Sequence, residues 1–180
     1  MCVAAIPYFA EIIIMAFSCE ICGHRSAEIK SGGGISEKAT KLEFTGTCIE
    51  DLSRDLFKSD SCSVNFPYAG IHMEPGTQGS MYTTVEGLFD QVIRHMEATN
   101  PFGRGDSINS DKFKACMDKM KEIKDGKLFP FHITLDDPLS QCFIYNPKAP
   151  EDDPQIKITV YERTEEQNEE LGLNQMNVYN

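Results

Sequence analysis

The apolar spacing of this chain changes period twice, and that alternation limits the folds open to it. Leu42 and Phe44 alternate with Glu43 and Thr45, and Cys62, Val64 and Phe66 alternate with Ser63 and Asn65. This is the two-residue period of half-buried strands. Pro67 marks the end of the second strand or a sheet edge. The period then becomes helical, with Val85, Leu88, Phe89, Val92, Ile93 and Met96 recurring at three- and four-residue steps behind a Thr83-x-x-Glu86 capping box. A second helix carries Phe113, Cys116, Met117, Met120 and Ile123 on one face and stops at Asp125-Gly126, where glycine supplies the left-handed cap. The segment from Asn100 to Ser107 holds too many breakers to be helical, so the two helices form a hairpin at about 83–125. Strand period resumes at Phe129, Phe131, Ile133 and Leu135, and Cys142–Tyr145 and Ile156–Tyr161 are further strand candidates. Strands on both sides of a helical hairpin predict a mainly β fold, an antiparallel sandwich or barrel with an α insertion.

The amino-terminal part is of a different kind. MCVAAIPYFAEIIIMAF lacks a basic leader, is interrupted by Pro7 and carries Glu11, so it reads as a strand from Phe9 to Phe17 and not as a signal peptide. It is also shorter than the ~20 apolar residues of a membrane-spanning helix. Cys19-Glu20-Ile21-Cys22-Gly23 follows, two thiols on a tight turn able to meet one Zn²⁺. Ala27–Lys30 returns as a strand, and Gly32-Gly33-Gly34 ends the unit. Three segments result: a partial zinc ribbon at 1–34, a β-rich domain at 35–162 and an acidic tail at 163–180, helical from Arg163 to Leu173.

A closed structural zinc site takes four ligands, usually two C-x-x-C pairs, and no second pair occurs in this sequence. The metal is then shared with another polypeptide, or the site is vestigial, or an upstream segment is lacking. His24 stands at an uncommon ligand spacing, and nothing in the positions of Cys2, Cys48 or Cys62 marks them as further ligands.

Composition narrows the partners. A formal charge of −11 with scattered Lys and Arg repels phosphate backbones, so no nucleic-acid partner is expected, and a basic protein is the natural complement. The stretch from Glu151 to Glu170 sets eight carboxylates against Lys157 and Arg163, which suits either a solvated face or a docking surface for such a partner. Seven cysteines, an odd number, and the absence of an N-x-[ST] sequon point to a reducing compartment. Gly76-Thr77-Gln78-Gly79-Ser80 lacks the Gly-Lys-Ser/Thr ending of a nucleotide loop and reads as a turn. Asp136 and Asp137 point to opposite faces of a strand and, with Pro138, read as turn-forming and not as a catalytic pair. Arg104-Gly105-Asp106 reads as a chance loop tripeptide, and no nucleophile–histidine arrangement emerges, so no catalytic residue is assigned.

Several long stretches occur together in one order: IPYFAEIIIMAFSCEICGHRSAEIKSGGG, EDLSRDLFKSDSCSV, YTTVEGL, NPFGRGDS, ITLDDPLSQCFIYNP and APEDDPQIKITVYERTEEQNEELGLNQM. In these the chain resembles the ZPR-type zinc-finger proteins, whose two tandem copies each join a zinc finger to a β-rich domain, and it looks like the carboxy-terminal copy. The resemblance implies Zn²⁺ on two C-x-x-C pairs, of which only the later, Cys19 and Cys22, is present here. It implies a double-stranded β-helix-like domain bearing a helical hairpin. It also implies binding to translation elongation factor 1-alpha as a chaperone or adaptor, association with receptor kinase domains, and residence in cytoplasm and nucleus. The expectation is therefore a non-enzymatic protein-binding module, with the hairpin (Thr84–Asp125) and the ribbon tip as contact surfaces and no membrane partner. Two alternatives stand: an inactive truncated paralogue, or a metal-dependent enzyme on the β-helix scaffold, which needs an inward His/His/carboxylate set drawing on His72 and His132.

Overall fold

A computed structural model describes residues 1–7, 11–99 and 108–175. Phe9, the expected first residue of the ribbon strand, and the breaker segment from Asn100 to Ser107 with its Arg104-Gly105-Asp106 tripeptide lie outside the described residues.

β1 (Cys2–Ala5), β2 (Glu11–Ser18) and β3 (Arg25–Ser31) form an antiparallel sheet in that spatial order. The central strand is the apolar one, and Ile12 is its buried residue. β1 pairs with β2 from Cys2 opposite Ile14 to Ala5 opposite Glu11, adding a strand that its small side chains did not announce.

The larger unit begins with β4 (Ala39–Gly46) and a 3-10 turn at Ile49–Ser53. The strands β5 (Asp55–Lys58), β6 (Ser63–Phe66), β7 (Ile71–Met73) and β8 (Met81–Thr84) follow. Helices α1 (Val85–Thr99) and α2 (Ile108–Lys124) come next, then β9 (Phe131–Asp137), β10 (Phe143–Ile144), β11 (Ile156–Tyr161) and α3 (Glu165–Glu170). The strands make two antiparallel sheets, neither closed, in the orders β11-β4-β9-β6-β7 and β10-β5-β8.

Both sheets and the hairpin share one apolar core. Four rings knit it together: Phe89 of α1 meets Phe66 at 5.2 Å and Phe131 at 5.5 Å, and Phe131 meets Phe44 at 5.9 Å, the last two edge to face. Gly46 is the residue that lets β4 lie against this cluster, since a Cβ there would fall 2.1 Å from the Phe131 ring. α1 buries Val85, Leu88, Phe89, Val92 and Ile93, and α2 adds Met117, Met120 and Ile123. The inner half of the hairpin is therefore core, which leaves its outer half as the part of the expected contact surface open to a partner. Its start also shifts by one residue: Thr83 lies in β8, and the Thr84 hydroxyl accepts the Gly87 N–H at 3.1 Å.

Candidate metal centre and interaction surfaces

The knuckle is built by the ends of β2 and β3. The Cys19 N–H donates to the His24 carbonyl at 2.8 Å, and the Gly23 N–H donates to the Cys19 carbonyl at 2.9 Å. Closing so tight a turn needs a left-handed residue, and Gly23 supplies it at φ +71. The same turn aims donors at sulfur. The Cys22 backbone N–H, then the Cys22 side chain and the Ile21 N–H lower the Cys19 thiol below its ordinary value. A stabilised thiolate is the form that binds zinc. Cys142 is the contrast: burial first, then its neighbour Cys62, push its thiol well above the usual range.

Two sulfurs on one turn fit half of a tetrahedral zinc site. Among the described residues no three His, Cys, Asp or Glu side chains come close enough to hold a metal. Cys2 lies level with Ile14, separated from the knuckle by the length of Met15–Ser18. The Cys48 thiol lies against Asp51 at 3.4 Å, and Cys62 is buried in the core. At the tip, between the two cysteines, Ile21 is 97% exposed.

Among the described residues, the histidines named for the enzymatic alternative do not face the interior. His132 lies on the outer face of β9, its Nδ1 sharing a hydrogen bond with Thr45 Oγ1 at 2.9 Å and its ring stacked on Tyr68 at 5.6 Å. His72 is exposed beside Glu74 at 3.5 Å. The neighbouring positions facing inward are Phe131, Ile133, Ile71 and Met73, so among the described residues no His/His/carboxylate set faces the interior.

Asp136 and Asp137 do separate to opposite sides. Asp136 accepts the Tyr161 hydroxyl at 2.6 Å. Asp137 is fully buried and takes the Ser59 and Ser61 hydroxyls at 2.8 and 2.6 Å and the Leu139 and Gln141 N–H groups at 3.0 and 2.7 Å. A carboxylate so fully engaged closes a turn and has no lone pair to spare for acid–base chemistry. The 76–80 loop is a turn with left-handed backbone at Gly76, Gln78 and Gly79, and β8 separates it from α1, so it does not head a helix.

Sequence reading missed the buried charge network between the 3-10 turn and the entrance to β11. Arg54 Nε donates to Asp51 Oδ1 at 2.8 Å, its Nη1 to Asp153 Oδ2 at 2.5 Å, and its Nη2 to Gln155 Oε1. Gln155 Nε2 returns to Asp51 Oδ2 at 2.7 Å, and the guanidinium lies 5.1 Å from the Phe44 ring centre. Burial alone would raise the Asp51 carboxyl; the Thr47 N–H, the Gln155 amide and the Arg54 charge outweigh it and hold it at about 2. The spacing of Asp51 and Arg54 was the available signal, but nothing local marks Asp153, about a hundred residues on, as the third member.

The acidic stretch is accordingly mixed. Asp153 is taken by Arg54, and Glu162 meets Lys38 at 2.7 Å. Glu151, Asp152, Glu165, Glu166, Glu169 and Glu170 are exposed.

A two-sulfur knuckle on a three-stranded ribbon, followed by two open antiparallel sheets around one core, defines a zinc-finger protein with a jelly-roll domain. The ZPR1 zinc-finger domain matches residues 1–37 and the ZPR1 jelly-roll domain residues 50–173, and the chain belongs to the ZPR1 family. It is 42% identical over 174 residues to the zinc finger protein ZPR1 of Homo sapiens, covering 95% of this chain and 38% of that protein. It is 39% identical over 178 residues to the zinc finger chaperone zpr1 of Schizosaccharomyces pombe, covering 97% of this chain and 39% of that one. An uncharacterized ZPR1-like protein of Pyrococcus horikoshii is 22% identical over 148 residues. The chain thus spans well under half the length of the eukaryotic relatives it matches. The human and fission-yeast relatives carry the names of a zinc finger protein and a zinc finger chaperone, not of an enzyme, and the family's finger implies zinc as the metal.

Proposed function

We propose that this chain is a zinc-finger protein-binding module that engages translation elongation factor 1-alpha as a chaperone or adaptor and catalyses no reaction. The observation that carries this reading is its match, over 97% of its length, to a protein named as a zinc finger chaperone. Cys19 and Cys22 supply two of four zinc ligands, and the other pair comes from beyond the described residues. Followed from Ala5 back to Cys2, β1 runs along β2 toward the knuckle, so a segment continuing that strand would carry a second C-x-x-C pair to the two sulfurs. Zinc there would fix the turn and present Ile21 on a rigid tip. An aggregation-prone client is then held by that apolar tip and by the outer face of the α1–α2 hairpin, with the surplus negative charge selecting a basic surface. Receptor kinase domains are a secondary class of partner, and cytoplasm and nucleus are the proposed locations. No described helix is long and apolar enough to cross a membrane.

The test is capture of purified elongation factor 1-alpha on the immobilised chain, loaded with zinc in the presence of a synthetic C-x-x-C peptide that supplies the second ligand pair. Ile21→Asp changes a side chain that is 97% exposed, so the fold is retained while capture should drop at least about tenfold. Capture should also weaken as salt rises. Equal capture by wild type and I21D would remove the ribbon tip from the interface, and no capture at any salt concentration would defeat the proposal.

A further inference from the structure

The two sheets of the jelly roll fail to meet along one seam, where β11 is the edge strand of one and β10 the edge strand of the other. A groove of about 680 Å³ runs along it, walled by Leu42, Ile156 and Ile158 on one side and Cys142, Phe143 and Ile144 on the other. We propose that the free edge of β11 takes up an extended peptide segment of a partner protein, apolar at alternate positions and basic at both flanks, as an added strand.

The backbone register supplies the template. The Thr45 N–H donates to the Gln155 carbonyl at 2.9 Å, in the same register that pairs Ile156 with Phe44. Hydrogen-bonded pairs alternate along an antiparallel ladder, so Lys157 and Thr159 face β4 while Ile156, Ile158 and Val160 turn their N–H and C=O groups to the open side. The Ile156 N–H is taken internally by the Asp153 carbonyl at 3.0 Å. Ile158 and Val160 pair with no strand on that side among the described residues. Their side chains continue the groove face yet are 62% and 59% exposed, a large apolar surface on an edge that soluble proteins ordinarily blunt.

Charge defines the occupant's flanks. Among the described residues no lysine or arginine lines the groove, whereas Asp152 and Asp153 do. Exposed Glu151 and Asp152 precede β11, and exposed Glu165, Glu166, Glu169 and Glu170 follow it; these six carboxylates make no ion pair among the described residues. A strand added here gains main-chain hydrogen bonds from Ile158 and Val160, places every second side chain on the apolar wall, and meets uncompensated negative charge at both ends. This edge lies in the jelly roll and requires neither zinc nor the identity of the client, so its test is separate from that of the ribbon tip.

The probe is a short fluorescein-labelled peptide alternating valine and threonine between lysine pairs, titrated into metal-free protein by anisotropy, with amide hydrogen exchange followed by NMR. Saturable binding that slows exchange at the Ile158 and Val160 amides is expected. Ile158→Lys should weaken binding about tenfold or more without moving the thermal midpoint, and Val160→Lys provides the same test should that variant fold poorly. Four results would overturn the proposal: no saturable binding, unchanged affinity in both variants, equal binding of a glycine–serine peptide between the same lysine pairs, or protection of those amides by self-association of the protein alone.

Discussion

Arg54 joins stretches of chain that have no local reason to meet, and its burial makes it sensitive to any change in its partners. Replacing it by leucine leaves Asp51 and Asp153 buried without their cation, so Arg54→Leu should lose ~3–5 kcal/mol in urea unfolding. A loss below ~1 kcal/mol would mean that water reaches the site. Acid should act through the same residues. The folded state holds Asp51 at about 2 against an ordinary 3.8, so its stabilisation is complete above pH 3.8 and disappears as pH falls through about 2. Burial would raise Asp153, but the Gln155 N–H and the Arg54 guanidinium lower it too, which adds stability in the same direction. The Asp51 share is ~2 kcal/mol, and Asp51→Asn should flatten the dependence of the urea midpoint on pH in that range. Gly46 is a steric case: Gly46→Ala places a methyl group against the Phe131 ring and should cost ~1–3 kcal/mol, where a surface glycine with open space would cost little.

Legibility in the sequence followed burial on one face. β4, β6 and β9 were readable because alternate residues face the core, and β11, whose apolar Ile156, Ile158 and Val160 alternate although none is buried, begins and ends on the predicted residues. β5 was missed because Leu56, Phe57 and Lys58 are all buried in succession, which erases the two-residue period. β7 is too short to show a period, and β8 is a polar strand running directly into α1. The helices were legible from their apolar stripes, but the stripes could not show that Phe89 would fill the centre of the jelly roll. Removing the hairpin is thus no surface deletion: Phe89→Ala alone should cost ~3–5 kcal/mol, measured by thermal or urea unfolding. Spacing marked Cys19 and Cys22 as a candidate pair, and the structure sets both on one turn, while the Arg54 network was hidden by sequence separation.

On the scale of the whole molecule, an apolar jelly-roll core and a small ribbon of largely exposed residues are stabilised by different means. The jelly roll has its rings and buried network, whereas the ribbon buries little beyond Ile12 and depends on its turn. The central claim is that Cys19 and Cys22 are zinc thiolates that need a second pair. The direct measurement is zinc affinity by chelator competition, with X-ray absorption at the zinc edge, on the chain alone and with a synthetic C-x-x-C peptide. Weak binding alone, tight four-sulfur coordination with the peptide, and loss of both in Cys19→Ser/Cys22→Ser are predicted. Tight zinc retained by the double variant, or none bound when the peptide is present, would contradict the account.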